Sequence, residues 1–248
     1  MKLRLDQLLV RRGLVESRER AQALIMAGQV DLGGRAAAKA GTMVSEHADV
    51  TVIGPDHPWV SRGGVKLAHA LETFGIDVSG RLGLDIGAST GGFTDVLLTR
   101  GATAVIAVDV GHGQLHWRLR TDPRVTLVEG LNARYLTPAA LPGLGDGAGI
   151  VTVDVSFISL ALILPPLLTV VGPGVDLVAL VKPQFEAGRR EAPKGVVRDP
   201  AVHARVQADI TAKAAAIGWT RLAVTPSPIV GAQGNREFLM HFTPGPQP

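Results

Sequence analysis

Apolar positions along the chain follow two rhythms. Over residues 1–60 they fall into short helical groups and then short strand-like runs. Leu5, Leu8 and Leu9 repeat at helical spacing and stop at Gly13, while Ala21, Leu24 and Ile25 form a second stripe between a capping Ser17 and Gly28. Gln29–Leu32, entering a Gly33-Gly34 turn, and Asp49–Ile53 read as strands. This pattern predicts a compact helix–helix–strand unit.

From residue 61 strands and helices alternate. Apolar runs predict strands at Leu82–Ile86, Ala104–Val108, Val125–Val128, Ile150–Val155 and Val175–Val181, and helices over 91–100, 159–170 and 200–217. Thr220–Thr225 and Glu237–Phe242 add two strands joined by a Pro/Gly-rich segment. Alternation of this kind implies a parallel sheet covered by helices. The last pair lacks a crossover helix, so it is expected to run antiparallel. The expectation is an α/β fold with a mostly parallel seven-stranded sheet, preceded by a small α+β domain. Turn-rich residues 54–60 read as a linker, dividing the chain into domains 1–60 and 61–248.

Composition narrows the chemistry. The 248 residues include no Cys, which removes disulfides, Cys-ligated metal sites and thiolate nucleophiles. A net charge of +3 decides nothing about nucleic acid, since clustering rather than the sum marks a polyanion binder. Only six of the 25 cations are Lys (Lys2, Lys39, Lys66, Lys182, Lys194 and Lys213), so each poses the question of why it is not Arg. The longest greasy stretch, Phe157–Val171, is interrupted by Pro165-Pro166 and is too short to span a bilayer. The N-terminus intersperses charges and lacks a small-residue cleavage site, unlike a signal peptide. A soluble cytoplasmic protein is expected.

Leu84-Asp85-Ile86-Gly87-Ala88-Ser89-Thr90-Gly91-Gly92-Phe93 leaves a strand and opens a helix, where glycines let backbone approach a nucleotide-like ligand. Its G-x-x-x-G-G spacing departs from the dinucleotide G-x-G-x-x-G. An acid beside the loop repels a pyrophosphate but favours a ligand carrying an ammonium and a sulfonium. Asp109, ending the next strand, can accept both hydroxyls of an adenosine ribose. These features point to S-adenosylmethionine rather than NAD, against the plainer alternative of a structural turn.

The acceptor follows by subtraction. Methylation at carbon five of a pyrimidine usually needs a Cys adduct, and an exocyclic amine commonly needs Asp or Asn before Pro-Pro and an aromatic, where this chain reads Asp154-Val155-Ser156-Phe157. A hydroxyl acceptor needs a base, and Lys182 ends the fifth strand beside Asp154 at the sheet edge where ligands bind. An ordinary Lys, with pKa about 10.4, is a poor base at neutral pH. Burial and a second ammonium such as Lys66 would lower that value, while Asp154 would raise it and hold the side chain. The alternative is a plain Lys182–Asp154 ion pair.

Motifs across the chain resemble the TlyA family of rRNA 2′-O-methyltransferases, sometimes labelled hemolysin A. Arg4-Leu5-Asp6, Ser17-Arg18-Glu19-Arg20-Ala21 and Gly28-Gln29-Val30 resemble the αL-type RNA-binding domain of ribosomal small-subunit protein four. Trp59-Val60-Ser61-Arg62-Gly63-Gly64-Val65-Lys66, Asp154-Val155-Ser156-Phe157-Ile158-Ser159, Lys182-Pro183-Gln184-Phe185-Glu186, Gly195-Val196-Val197-Arg198-Asp199 and Gly234-Asn235-Arg236-Glu237-Phe238 complete the match. The remainder is similar to FtsJ-like Rossmann methyltransferases. The resemblance implies a catalytic tetrad of Lys66, Asp154, Lys182 and Glu237, with Lys182 the base, Asp154 and Lys66 tuning it and Glu237 closing the network around the ribose. It implies cytidine acceptors in 23S and 16S rRNA, so that rRNA or ribosomal subunits are the expected partners, with neither a membrane nor an obligate protein partner.

The expected S-adenosylmethionine set is Asp85, Gly87, Ala88, Ser89, Thr90, Gly91, Gly92, Phe93, Asp109 and Asn132. The expected RNA contacts are Arg4, Arg11, Arg18, Arg20 and Arg62. A solvated face is the alternative for those cations, since residues 1–60 hold 8 Lys/Arg against 7 Asp/Glu. His112 and His116, four apart, lack a third ligand, so no metal site is expected. Two other functional classes remain at this level: a membrane-active cytolysin, and an RNA-binding adaptor with an inactive methyltransferase domain.

Overall fold

A computed structural model describes residues 2–15, 17–26, 28–37, 39–52, 57–188 and 190–245. It divides into two compact units, Met1–Pro58 and Trp59–Pro248. Residues 54–56 of the expected linker, and Ile53 ending an expected strand, lie outside the described residues.

In the first unit, β1 (Lys2–Arg4), α1 (Leu5–Arg11), α2 (Arg18–Met26), β2 (Val30–Leu32), β3 (Met43–Ser45) and β4 (Val50–Val52) enclose a small core. β1 pairs with β3 and β2 with β4, all antiparallel. The helical stripes are the predicted ones, with Leu5, Leu8, Leu9, Ala21, Leu24 and Ile25 buried. β1 and β3 were not foreseen; each is three residues long, and β1 runs directly into α1. Fully buried Asp6 organises the unit, accepting from Arg4 Nε at 3.0 Å, Arg18 Nε at 3.2 Å and Gln22 Nε2 at 3.0 Å. The Arg4 guanidinium holds its carboxyl well below the usual carboxylate range.

The second unit begins with α3 (Gly63–Phe74) and continues β5 (Leu82–Ile86), α4 (Gly92–Thr99), β6 (Ala104–Asp109), α5 (Trp117–Arg120), β7 (Val125–Glu129), β8 (Ala148–Val153), α6 (Leu164–Leu167), β9 (Val171–Val181), α7 (Pro183–Glu186), α8 (Pro200–Ala216), β10 (Trp219–Pro226) and β11 (Phe238–Pro244). One seven-stranded sheet runs in the order β10-β11-β9-β8-β5-β6-β7. β5 to β9 pair in parallel, and β11 runs antiparallel to both β9 and β10. The mostly parallel sheet with an antiparallel last strand is therefore as the alternation predicts.

Strand parity divides the core into two layers. Leu177, Ala179 and Val181 of β9 join Leu84, Ile86, Val151 and Val153 in one cluster, while Val178 and Leu180 join Val105, Ala107 and Ile150 in the other. The expected helix over 159–170 is instead a turn at 160–162 followed by the four-residue α6, because Pro165 and Pro166 have no N–H to continue an earlier helix. α3 was not foreseen. Its first turn carries Gly63-Gly64, where Trp59 packs so closely that a Cβ on Gly64 would lie 2.3 Å from its ring, and it ends where Gly75 turns left-handed at φ +66°.

Candidate active site

The parallel strands deliver their chemistry to one edge. Asp109 is the last residue of β6, Asp154 directly follows β8 and Lys182 directly follows β9. β11 runs the other way, so the residue before it, Glu237, reaches the same edge, next to the Phe238–Val181 pair. α3 supplies Lys66. Lys182 Nζ lies 2.6 Å from Asp154 Oδ1, an ion pair set off the hydrogen-bond direction, and donates to Ser156 Oγ at 2.9 Å. Lys66 Nζ donates to Glu237 Oε2 at 2.5 Å, with both groups buried. Lys66, Asp154 and Lys182 line one cleft of about 470 Å³, whose further wall is the strap 229–233.

A second cleft of about 790 Å³ shares Gly87, Ser89, Asp154 and Ser156 with the first. Val108, Val110 and Leu131 give it apolar walls, and Asp109, Asn132 and Ser159 give it polar ones. An apolar slot with a carboxylate at one end suits a flat base joined to a sugar with hydroxyl donors, as in an adenosine. The first residues of the glycine loop direct their donors to the neighbouring strand end. The Gly87 and Ala88 N–H groups donate to Val108 O at 2.8 and 3.1 Å, and Ser89 N–H donates to Asp109 Oδ2 at 2.8 Å. Asn132 Oδ1 accepts from Arg134 N–H at 3.0 Å.

Of the expected cofactor set, Gly87, Ala88, Ser89, Thr90, Gly92 and Phe93 line the first cleft, and Gly87, Ser89, Asp109 and Asn132 line the second. Gly91 packs beneath, where a Cβ would lie 2.3 Å from Leu119 Cδ1. Asp85 needs correcting as a ligand-facing acid. It is fully buried, lines neither cleft, and accepts from Thr94 Oγ1 at 2.7 Å and Thr152 Oγ1 at 2.9 Å. Parity explains this: Ile86 points into the cluster lining the second cleft, so Asp85 points through the opposite face, toward α4.

Burial pushes the Asp85 carboxyl up to about 6, against the two threonine hydrogen bonds and with help from the Asp154 charge. Between its unfolded value near 4 and that value, the folded chain keeps a proton the unfolded chain releases. The associated stability is full below about pH 4 and is lost as pH rises through about 6. In thermal melts, the advantage of Asp85→Asn over the parent should therefore grow from pH 4 to pH 7. A constant offset would remove this account.

Sequence reading missed Ser156 as a partner of Lys182, although it lies in a quoted motif. It also missed the strap. Gly231 touches Glu237 so closely that a Cβ would fall 2.0 Å from Oε1. Its φ of −77° is ordinary, so Gly231→Ala adds no backbone strain and acts by displacing the carboxylate from Lys66. Because this parts a buried ion pair, we expect a lower melting midpoint together with a transfer rate about tenfold or more lower; an undiminished rate would show that the position of Glu237 is immaterial. Phe157 is another feature with no sequence signal: it takes φ +63°, is 90% exposed and packs on Phe185 at 4.9 Å beside the second cleft.

The expected RNA cations differ among themselves. Arg62 lines the first cleft and donates to Val230 O at 3.2 Å. In the first unit Arg4 and Arg18 are tied to Asp6, and Arg11 lies 3.8 Å from Glu46, while Arg20 is exposed on α2. His116 caps α5 by accepting from Arg118 N–H, and His112 lies 4.0 Å from Glu129. Among the described residues no helix is long and apolar enough to cross a membrane.

The FtsJ-like methyltransferase family matches residues 59–243, and the S4 domain matches residues 3–50. A protein of Mycobacterium tuberculosis (strain ATCC 25618 / H37Rv) named 16S/23S rRNA (cytidine-2′-O)-methyltransferase TlyA is 50% identical over 96% of this chain and 88% of its own length. A protein of Brachyspira hyodysenteriae named hemolysin A is 39% identical over 97% of this chain and 99% of its own. A solved structure from Streptococcus thermophilus, described as a candidate hemolysin, superposes with a TM-score of 0.78 at 44% identity, covering 100% of this chain and 90% of that one. An S4 domain followed by an FtsJ-like domain with two lysines and two carboxylates gathered at one sheet edge, half of its aligned residues identical to those of a TlyA protein, leaves one conclusion: the chain belongs to the TlyA family of FtsJ-like methyltransferases.

Proposed function

We propose that this chain transfers a methyl group from S-adenosylmethionine to the ribose 2′-hydroxyl of cytidine in 23S and 16S rRNA. One observation carries the reading: the Lys182–Asp154 pair and Lys66, itself paired with the buried Glu237, line a cleft that shares its wall with a neighbour edged by Asp109 and Asn132. The second cleft holds the cofactor's adenosine, with Asp109 toward the ribose hydroxyls and Asn132 beside it, and the loop residues Ala88, Thr90, Gly92 and Phe93 in the first cleft receive its amino-acid end beside the acceptor. When bound, S-adenosylmethionine supplies an electrophilic methyl group on a sulfonium.

The acceptor ribose occupies the first cleft. The neutral amine of Lys182 takes the 2′-hydroxyl proton, Asp154 and Ser156 fix where that amine points, and Lys66 with Glu237 holds the ribose from the other side. A guanidinium cannot release a proton to act as such a base, which accounts for Lys in an Arg-dominated chain. The larger share of the rate comes from holding the acceptor oxygen in line for attack. Arg62 meets a phosphate at the cleft mouth, and the S4 domain, through Arg20 and the free donors of Arg4, Arg11 and Arg18, grips rRNA.

Mapping of ribose methylation in rRNA from cells with and without the gene tests the reading. A cytidine 2′-O-methyl mark that disappears with the gene is the expected result, and an unchanged map would overturn it. The same reading predicts that residues 59–248 alone bind ribosomal subunits at least about tenfold more weakly, roughly 1.4 kcal/mol, in a filter-binding titration. Equal affinity would show that the S4 domain does not read the RNA.

A further inference from the structure

The Gly234-Asn235-Arg236-Glu237 segment has a feature that the proposed reaction does not use. Asn235 is only 2% exposed, yet its side chain reaches across to another loop. Its Oδ1 accepts from Val197 N–H at 3.1 Å, and its Nδ2 donates to Gly195 O at 2.9 Å and to Ala232 O at 3.0 Å. One buried amide thus joins the loop before α8 to the strap that walls the acceptor cleft.

Both joined segments are held in costly backbone conformations. Lys194 takes φ +55° and Gln233 φ +56°, left-handed values that residues other than glycine rarely adopt. Such conformations persist only where surrounding contacts over-determine them. On the far side, the 195–197 loop is fixed to α8, where His203 Nε2 lies 3.1 Å from Val197 O and the Asp199 carboxylate caps the helix by accepting from Ala201 N–H. Asn235 therefore ties the strap to an anchored loop.

The strap in turn sets the space available to Glu237. Gly231 N–H donates to Asn235 O and Ser227 N–H to Glu237 O, both at 2.8 Å, closing residues 227–237 into one loop. Inside that loop Gly231 presses against the Glu237 carboxylate, which faces Lys66.

We propose that Asn235 is a positioning residue for methyl transfer: by pinning the strap to the 195–197 loop, it holds Glu237 against Lys66 at the acceptor cleft. This rests on the reading of Glu237 as part of the acceptor site. Removal of the amide lets the strap relax away from Gly231's contact, so the carboxylate no longer has a single place to sit.

A double-mutant cycle on the full chain tests this, using single-turnover methyl transfer to ribosomal subunits and thermal melts. In the parent background, Asn235→Ala should slow the transfer step about tenfold or more; in a Glu237→Gln background the same change should cost less than about twofold, because the group it positions is already lost. Asn235→Ser takes its place if the alanine variant does not fold. Rate losses that multiply would overturn the proposal, since a merely structural role weakens both backgrounds alike. A parent-like rate in Asn235→Ala or Asn235→Ser would do so as well. A parent-like rate in Glu237→Gln alone would remove the role given to Glu237, and this proposal with it.

Discussion

Lys182→Arg and Lys182→Ala should each lower single-turnover methyl transfer by about 10²–10⁴-fold, the usual worth of a positioned general base, while leaving ribosomal-subunit binding near the parent value. The comparison between them is the informative part. Arginine retains the positive charge and most of the length that pair with Asp154 at 2.6 Å, so a site needing only that ion pair would tolerate it. A site needing a neutral amine would not, because a guanidinium stays protonated in proteins. An active Lys182→Arg enzyme would leave Lys182 as a structural partner of Asp154. Loss of RNA binding alongside activity would instead place Lys182 in substrate affinity.

Gly87→Ala should be the most damaging change in the loop. Gly87 has φ +83°, and a Cβ there would fall 2.4 Å from Asp154 O and 2.9 Å from its carbonyl carbon, atoms of backbone that cannot yield without moving Asp154 itself. The left-handed conformation alone costs an alanine about 1–2 kcal/mol. With the clash added, a drop in melting midpoint of roughly 5–10 °C is expected for a unit of this size. A shift of Asp154 by about 1 Å should cost the transfer rate on the order of 10²-fold. Gly80→Ala separates the two causes: Gly80 has φ +73° with nothing within 4 Å of its would-be Cβ. It should show the smaller thermal loss and full activity. Equal behaviour of the two variants would mean that the Gly87–Asp154 contact has no functional weight.

Much of the site was legible because its residues stand directly after apolar runs. Asp109 and Lys182 follow strands read from Val, Ile, Leu and Ala, and Asp154 falls in the last positions of the strand read over Ile150–Val155, which in fact ends at Val153; a parallel sheet carries all such ends to one edge. The pairing of Lys66 with Glu237 had no such signal. The two are separated by 171 positions, and one lies on a helix whose Gly63-Gly64 start reads as a turn. Their roles entered only through family resemblance. Asp85 shows the opposite error. Adjacency to the glycine loop suggested a ligand contact, but one residue along a strand reverses the face, and the carboxylate meets Thr94 and Thr152 instead.

The sequence by itself determined the strand–helix alternation of the second unit, the antiparallel final strand, the absence of thiol chemistry and the placing of Asp109, Asp154 and Lys182 at the sheet edge, because periodicity and composition are local properties of a chain. Only the tertiary structure decided that the four residues divide into two ion pairs, that the Gly87, Ala88 and Ser89 donors turn to Val108 and Asp109, and that Asn235 ties the strap behind Glu237 to a loop some 40 residues earlier. Those outcomes depend on contacts between distant segments, and their energies arise only once the sheet has brought the segments together.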